Sequence, residues 1–233
     1  MRRCIFASAV VLLFLICSGA SAIDYPTLQY YVTDQTNTLL PGEILDIQDL
    51  CVMVYNQTGA EMAVLVVNTT QPDGINVFAT KTFQKNGLGQ EGKDNGMLLV
   101  VSTDEKQWMV EVGYGLEGAL PDARVGDICT THLVPYLDQS DYYDGIYETI
   151  DYLGGEIFAN YSGAPAEEKS PYPISWIPLT FWQLVLIAVV IIILGGITRG
   201  RIFFFIPILL GRGGGGKKWG GGRTGGGGAG GKW

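Results

Sequence analysis

Five side chains in this sequence have the chemistry to hold a hard cation, provided the fold brings them together: Asp34, Asp94, Asn95, Glu117 and Asp122. Carboxylates with an amide oxygen suit Ca2+ or Mg2+, and carboxylates crowded together repel one another unless a cation or a proton intervenes. Asp94 and Asn95 lie in Gly92-Lys93-Asp94-Asn95-Gly96, and Glu117 lies in the string VGYGLEG from Val112 to Gly118. Glycines in both strings let the backbone bend tightly and expose its carbonyls. The spacing does not match a twelve-residue EF-hand loop, so such a site is assembled across loops. The competing reading makes Asp94-Asn95-Gly96 a turn and Asp122 a helix cap.

Other chemistries find less material. His132 is the sole histidine, and a Ser-His-Asp triad or a histidine-rich zinc site would have to use it. Cys51 and Cys129 are too few for a structural zinc site and read as buried free thiols on apolar helix faces. The glycine runs near the C-terminus lack the strand and Lys-Ser/Thr context of a phosphate-binding loop. A metal-assisted phosphomonoester hydrolase is the enzymatic alternative. In it Asp94 or Asp122 positions a metal-bound water, and Lys93 or Arg124 meets the phosphate. The first reading remains a binding or accessory module.

The elements that must position these residues follow from periodicity. Pro41–Thr58 repeats apolar residues at helical spacing and stops at Gly59. Glu61–Val67 (EMAVLVV) and Gly96–Ser102 (GMLLVVS) are apolar runs typical of strands buried on both faces. Between them Asp73 can cap a helix carrying Ile75, Phe78, Ala79 and Phe83. A turn at Thr103–Lys106 leads into Gln107–Val112 (QWMVEV), whose alternation predicts a half-exposed antiparallel strand. A helix is expected from Asp122 through His132, broken at Pro135, and another from about Asp141 to Phe158. The order predicts a three-layer α/β/α sandwich around a small mixed sheet, with the first two strands parallel. In that arrangement the GKDNG loop precedes one strand and VGYGLEG follows its antiparallel neighbour, so both fall at one end of the sheet. Asp94, Asn95, Glu117 and Asp122 can then converge, and Asp34 is a candidate to join them.

The charge map sets the surroundings. From Ile23 to Pro178 six basic residues stand against all 23 acidic ones, a net of −17. Such a domain repels nucleic acid. Residues 1–22 read as a signal peptide: Arg2 and Arg3, an apolar middle, and Ala20-Ser21-Ala22 as a cleavage site. Residues 162–178 read as a linker. Leu179–Ile197 has no charge over 19 residues, enough for a helix to cross a hydrocarbon core of ~30 Å. Arg199 and Arg201 follow it, which predicts a single-pass cell-membrane protein with residues 23–161 extracytoplasmic and residues 198–233 a basic, Gly-rich cytoplasmic tail. Ile202–Leu210 is apolar but too short to cross alone. The tail is expected to be disordered, with Arg212, Lys217, Lys218 and Trp219 available to anionic lipid.

The stretch from Thr33 to Glu156 resembles the TPM domain family. The resemblance rests on motifs in order: Thr33-Asp34 with Leu39-Leu40; Gly59-Ala60-Glu61; FQKNGLG from Phe83 to Gly89; GKDNG; VGYGLEG; Asp122-Ala123; and Pro135-Tyr136 with Asp141-Tyr142 and Asp144-Gly145-Ile146. Two positions depart from the pattern: Asn86, where the family often carries Trp, and Ser140, where Gly is common. The resemblance implies a membrane-anchored protein outside the cytoplasm with an accessory role toward a membrane protein complex. Relatives are tied to photosystem repair and to an auxiliary receptor subunit, and plant relatives to calcium binding and weak acid phosphatase activity.

Overall fold

The computed structural model describes Tyr25–Gly163 and Trp219–Trp233. The leader, the stretch Leu179–Ile197, Ile202–Leu210 and all but the first two residues of the linker lie outside the described residues. Among the described residues no helix is long and apolar enough to cross a membrane.

A five-stranded mixed sheet runs in the order β1-β2-β3-β4-β5, with β1 Val32–Asp34, β2 Glu61–Val67, β3 Gly96–Ser102, β4 Gln107–Val112 and β5 Gly227–Lys232. The first three strands are parallel, β4 is antiparallel to β3, and β5 is antiparallel to β4. The register pairs Glu61 with Gly96 and Met97 with Val112, so the start of β2, the start of β3 and the end of β4 share one end of the sheet.

Helix α1 (Pro41–Thr58) opens on Pro41, while the Glu43 carboxylate accepts the Leu40 amide at 2.7 Å. Proline at the first position and a glutamate reaching back to the cap amide are a standard helix start. Helix α2 (Ile75–Asn86) crosses between β2 and β3. Helix α3 (Asp122–Ile128) runs through a π turn at Cys129–Leu133 into the short α4 (Val134–Leu137). The sequence reading breaks this helix at Pro135. The chain instead widens by a π turn, in which the Val134 amide donates to the Cys129 carbonyl, and Pro135 takes a place near the start of α4. Helix α5 (Tyr142–Asn160) is capped by Asp141, which accepts the Asp144 amide.

Strand side chains alternate between two cores. Met62, Val64, Val66, Met97, Leu99, Val110 and Val112 pack with α1, α3 and α5. Ala63, Leu65, Leu98, Val100 and Met109 pack with Phe78, Ala79 and Phe83 of α2 and with Leu28. Helices thus lie on both faces of the sheet, as the periodicity predicts. Cys51 and Cys129 are buried free thiols, and burial pushes the Cys129 thiol up to about 12.

Three details differ from the sequence reading. Strand β1 escapes periodicity because it has three residues. Strand β4 is buried along all but its first residue, because α2 and the α1/α3/α5 layer cover its faces. And part of the tail expected to be disordered, Gly227–Lys232, is strand β5.

Candidate functional site

The two glycine loops meet where the sequence reading puts them. The Gly113 amide donates to the Gly96 carbonyl at 2.8 Å, and the Gly115 amide to the Asp94 carbonyl at 3.0 Å. A Cβ at Gly113 would overlap the Asp94 carbonyl oxygen, and one at Gly115 the Lys93 carbonyl oxygen. Close backbone approach, more than backbone flexibility, is what these glycines supply.

The five candidate residues have different fates. Asp94 takes a left-handed backbone conformation, and its Oδ1 accepts the Arg223 amide at 2.8 Å. Asp122 Oδ1 accepts the Gly228 amide at 2.9 Å. Glu117 is exposed, and its Oε1 lies 3.1 Å from where a side chain on Gly227 would begin, with Asp122 Oδ1 3.9 Å from the same point. Asp94, Glu117 and Asp122 therefore gather along a single segment of the tail. Asn95 is buried and serves the loop: its Oδ1 accepts the Gln90 amide at 2.8 Å and its Nδ2 donates to the Gly59 carbonyl at 2.9 Å. Asp34 does not join them. It pairs with Val66 near the far end of β2, about 16 Å along the strand from Glu61 at ~3.3 Å per residue. Its carboxylate closes a turn, accepting the Thr36 amide at 2.7 Å and the Leu39 amide at 2.9 Å. The parallel pairing of β1 with β2 is the reason: a residue that ends a parallel strand lies opposite the loops that begin its neighbours. Among the described residues no three acidic, histidine or cysteine groups stand close enough to hold a metal ion.

One residue of this edge escaped the sequence reading. Glu111 of β4 is fully buried, and its Oε1 accepts the Thr224 hydroxyl at 2.9 Å and its Oε2 the Thr80 hydroxyl at 3.1 Å. Burial raises its pKa above the ordinary carboxylate value, against the lowering effect of those hydroxyls. Thr224 also reaches the Val112 carbonyl at 2.8 Å, and Thr80 the Asn76 carbonyl at 3.0 Å. Each hydroxyl has one proton for two acceptors, so a protonated Glu111 that donates back suits the site. A lone glutamate in an otherwise apolar strand was the available signal.

The remaining chemistry is engaged elsewhere. His132 stacks on Tyr152 with ring centroids 3.7 Å apart, and its Nδ1 lies 3.2 Å from Glu148. The Tyr136 hydroxyl and His132 hold the Glu148 carboxyl below the usual range. Arg124 forms an ion pair with Glu156 at 2.6 Å.

Fold and edge together describe an α/β domain with an acidic sheet end bound by added backbone. Residues 32–156 match the TPM domain family, whose label is TPM_phosphatase, and the chain belongs to that family. Among solved structures it is similar to the N-terminal domain of a P. gingivalis protein, with a TM-score of 0.53 and 22% identity over 59% of this chain and 94% of that one. It is also similar to BA42 from Bizionia argentinensis, with a TM-score of 0.48 and 18% identity over 56% of this chain and 86% of that one. For the N-terminal domain of cg2496 from Corynebacterium glutamicum the values are 0.46 and 18%, over 65% and 90%. The likeness to the P. gingivalis domain, at 22% identity, bears on fold alone. No curated protein matches the chain.

Proposed function

We propose that this TPM-domain chain is a membrane-anchored accessory module, standing outside the cytoplasm, that serves a membrane protein complex by binding. One observation carries the binding reading: β5 adds to the edge of β4, while Asp94 and Asp122 at the end of the sheet accept the main-chain amides of Arg223 and Gly228. Strand addition at a sheet edge is a general mode of polypeptide recognition, in which backbone bonds supply affinity and flanking groups supply selectivity. The anchor rests on Leu179–Ile197 and the arginines after it, and the side of the membrane on the signal-like start and the charge map.

A Ca2+ or Mg2+ ion fits this edge poorly as it stands. Asn95 has both polar atoms committed, Asp34 is at the far end, and the three remaining carboxylates do not form a ready ligand set. A cation at Asp94, Glu117 and Asp122 would need the three carboxylates drawn closer together. The check is a thermal melt of the full chain in millimolar Ca2+, in Mg2+ and in chelator. A cation bound only to the folded state raises stability by ~2.7 kcal/mol at a hundredfold excess over its dissociation constant. The expected result is coincident melts.

The family label favours a second reading, hydrolysis of phosphomonoesters with Asp94 or Asp122 and Lys93 or Arg124. Wild type and Asp94→Asn are to be compared on a phosphate ester with each divalent cation. Equal background rates support the accessory reading. Turnover by wild type that Asp94→Asn loses supports the hydrolase.

A further inference from the structure

We infer that the outer edge of β4 is a receptor built for a glycine strand, filled by the tail of the same chain, so that the C-terminus and the TPM domain lie on one side of the membrane. The side-of-membrane consequence rests on the anchoring proposed above; the receptor itself does not.

The receptor grips the tail along its length. The Trp219 indole donates to the Leu28 carbonyl at 3.0 Å and meets the Tyr31 ring edge-on at 5.5 Å. Thr224 enters the buried pocket at Glu111, and the Gly228 amide caps Asp122. β5 then pairs with β4 from Gly227 opposite Val112 to Lys232 opposite Gln107. Trp233 closes the strand: its amide donates to the Lys106 carbonyl at 3.2 Å and its ring lies edge-on to Tyr142 at 6.4 Å.

Side chains are excluded at particular points of the strand. Gly228 has φ of 141°, and a Cβ there would overlap the Val110 carbonyl oxygen. A Cβ at Gly231 would lie 2.9 Å from the Trp108 indole nitrogen. The surface therefore takes Trp219 and Trp233 at the ends and Thr224 at one buried point, and requires glycine at Gly228 and Gly231. A strand drawn from general sequence would clash.

Cis occupancy has a topological consequence. Gly163 and Trp219 bound the undescribed stretch, and the residues on either side belong to one sheet-centred domain. A chain that left the domain, crossed a membrane once and stayed across could not return β5 to β4.

The test uses the full chain in isolated membranes, with Gln107→Cys and Lys232→Cys. These paired positions lie at the accessible rim, and the native Cys51 and Cys129 are buried. A mild oxidant or a short thiol cross-linker should give a cross-linked monomer, and adding Gly228→Val should reduce its yield at least tenfold. A cross-linked dimer would overturn cis occupancy in favour of strand exchange between copies. No cross-link, or one indifferent to Gly228→Val, would overturn the glycine receptor. Hydrogen exchange without cysteines is the second measurement: amides from Gly226 to Trp233 should be protected in wild type and released by Gly228→Val. An impermeant protease should reach the domain and a tag after Trp233 from the same side; reach from opposite sides would overturn the side assignment. Recovery of the chain in the soluble fraction would remove the anchoring premise and leave the cross-link result standing.

Discussion

Asn95 illustrates how a residue with ligand chemistry becomes structural. Its amide bridges the Gln90 amide and the Gly59 carbonyl from a fully buried position. Asn95→Ala leaves both groups unpaired inside the fold, at about 1–3 kcal/mol each. Urea unfolding of the variant should show a loss of roughly 2–6 kcal/mol. Glu111 makes the opposite prediction. Its folded pKa is raised by burial, so the folded state holds the proton more tightly than the unfolded chain. The sign follows: its contribution is full below the ordinary carboxylate value and is lost as pH rises through the raised value. Glu111→Gln removes that loss and can still donate to Thr80. The stability of Glu111→Gln relative to wild type should increase as pH rises from the ordinary carboxylate value through the raised one; a difference flat with pH would contradict the assignment. Asn86, which departs from the family pattern, also has a local reason: its side chain accepts the Leu28 amide at 2.8 Å and donates to the Pro26 carbonyl at 2.9 Å, pinning the N-terminal segment.

At the scale of elements, the two glycine loops act as one unit because their backbones touch. Gly113→Ala would drive a methyl group into the Asp94 carbonyl, whereas Gly118 has open space around it. Overpacking of this kind costs roughly 1–3 kcal/mol. Gly113→Ala should therefore lower the urea midpoint clearly, and Gly118→Ala should leave it within about 0.5 kcal/mol of wild type. Equal effects would mean that the loops do not interlock.

For the whole molecule, Gly227–Lys232 form an edge strand of the domain's sheet. Deleting Trp219–Trp233 uncovers the β4 edge and the Glu111 pocket. An uncovered edge strand is a template for pairing with other chains. The deletion should cost on the order of a few kcal/mol in hydrogen bonds and packing and should raise aggregation, read by unfolding midpoint and light scattering. An unchanged midpoint would return the tail to the dispensable role that its composition suggests.

The sequence by itself determined the local elements and the meeting of two loops. Glu61–Val67, Gly96–Ser102, Gln107–Val112 and Pro41–Thr58 have the bounds read from periodicity and from Gly59. Burial on two faces, helical spacing and glycine stops act over a few neighbouring residues, so they are legible there. The meeting of the GKDNG and VGYGLEG loops followed because an antiparallel hairpin sets which loops share an end. Tertiary structure decided the rest. Asp34 lies far off because β1, too short to show a period, pairs parallel to β2. Glu111 is buried because layers distant in sequence cover both faces of β4. The segment Gly227–Lys232, which lacks any pattern of its own, is shaped by the edge it meets. A strand that is mostly glycine carries no periodic signal, and what selects it is the volume that Val110 and Trp108 leave free.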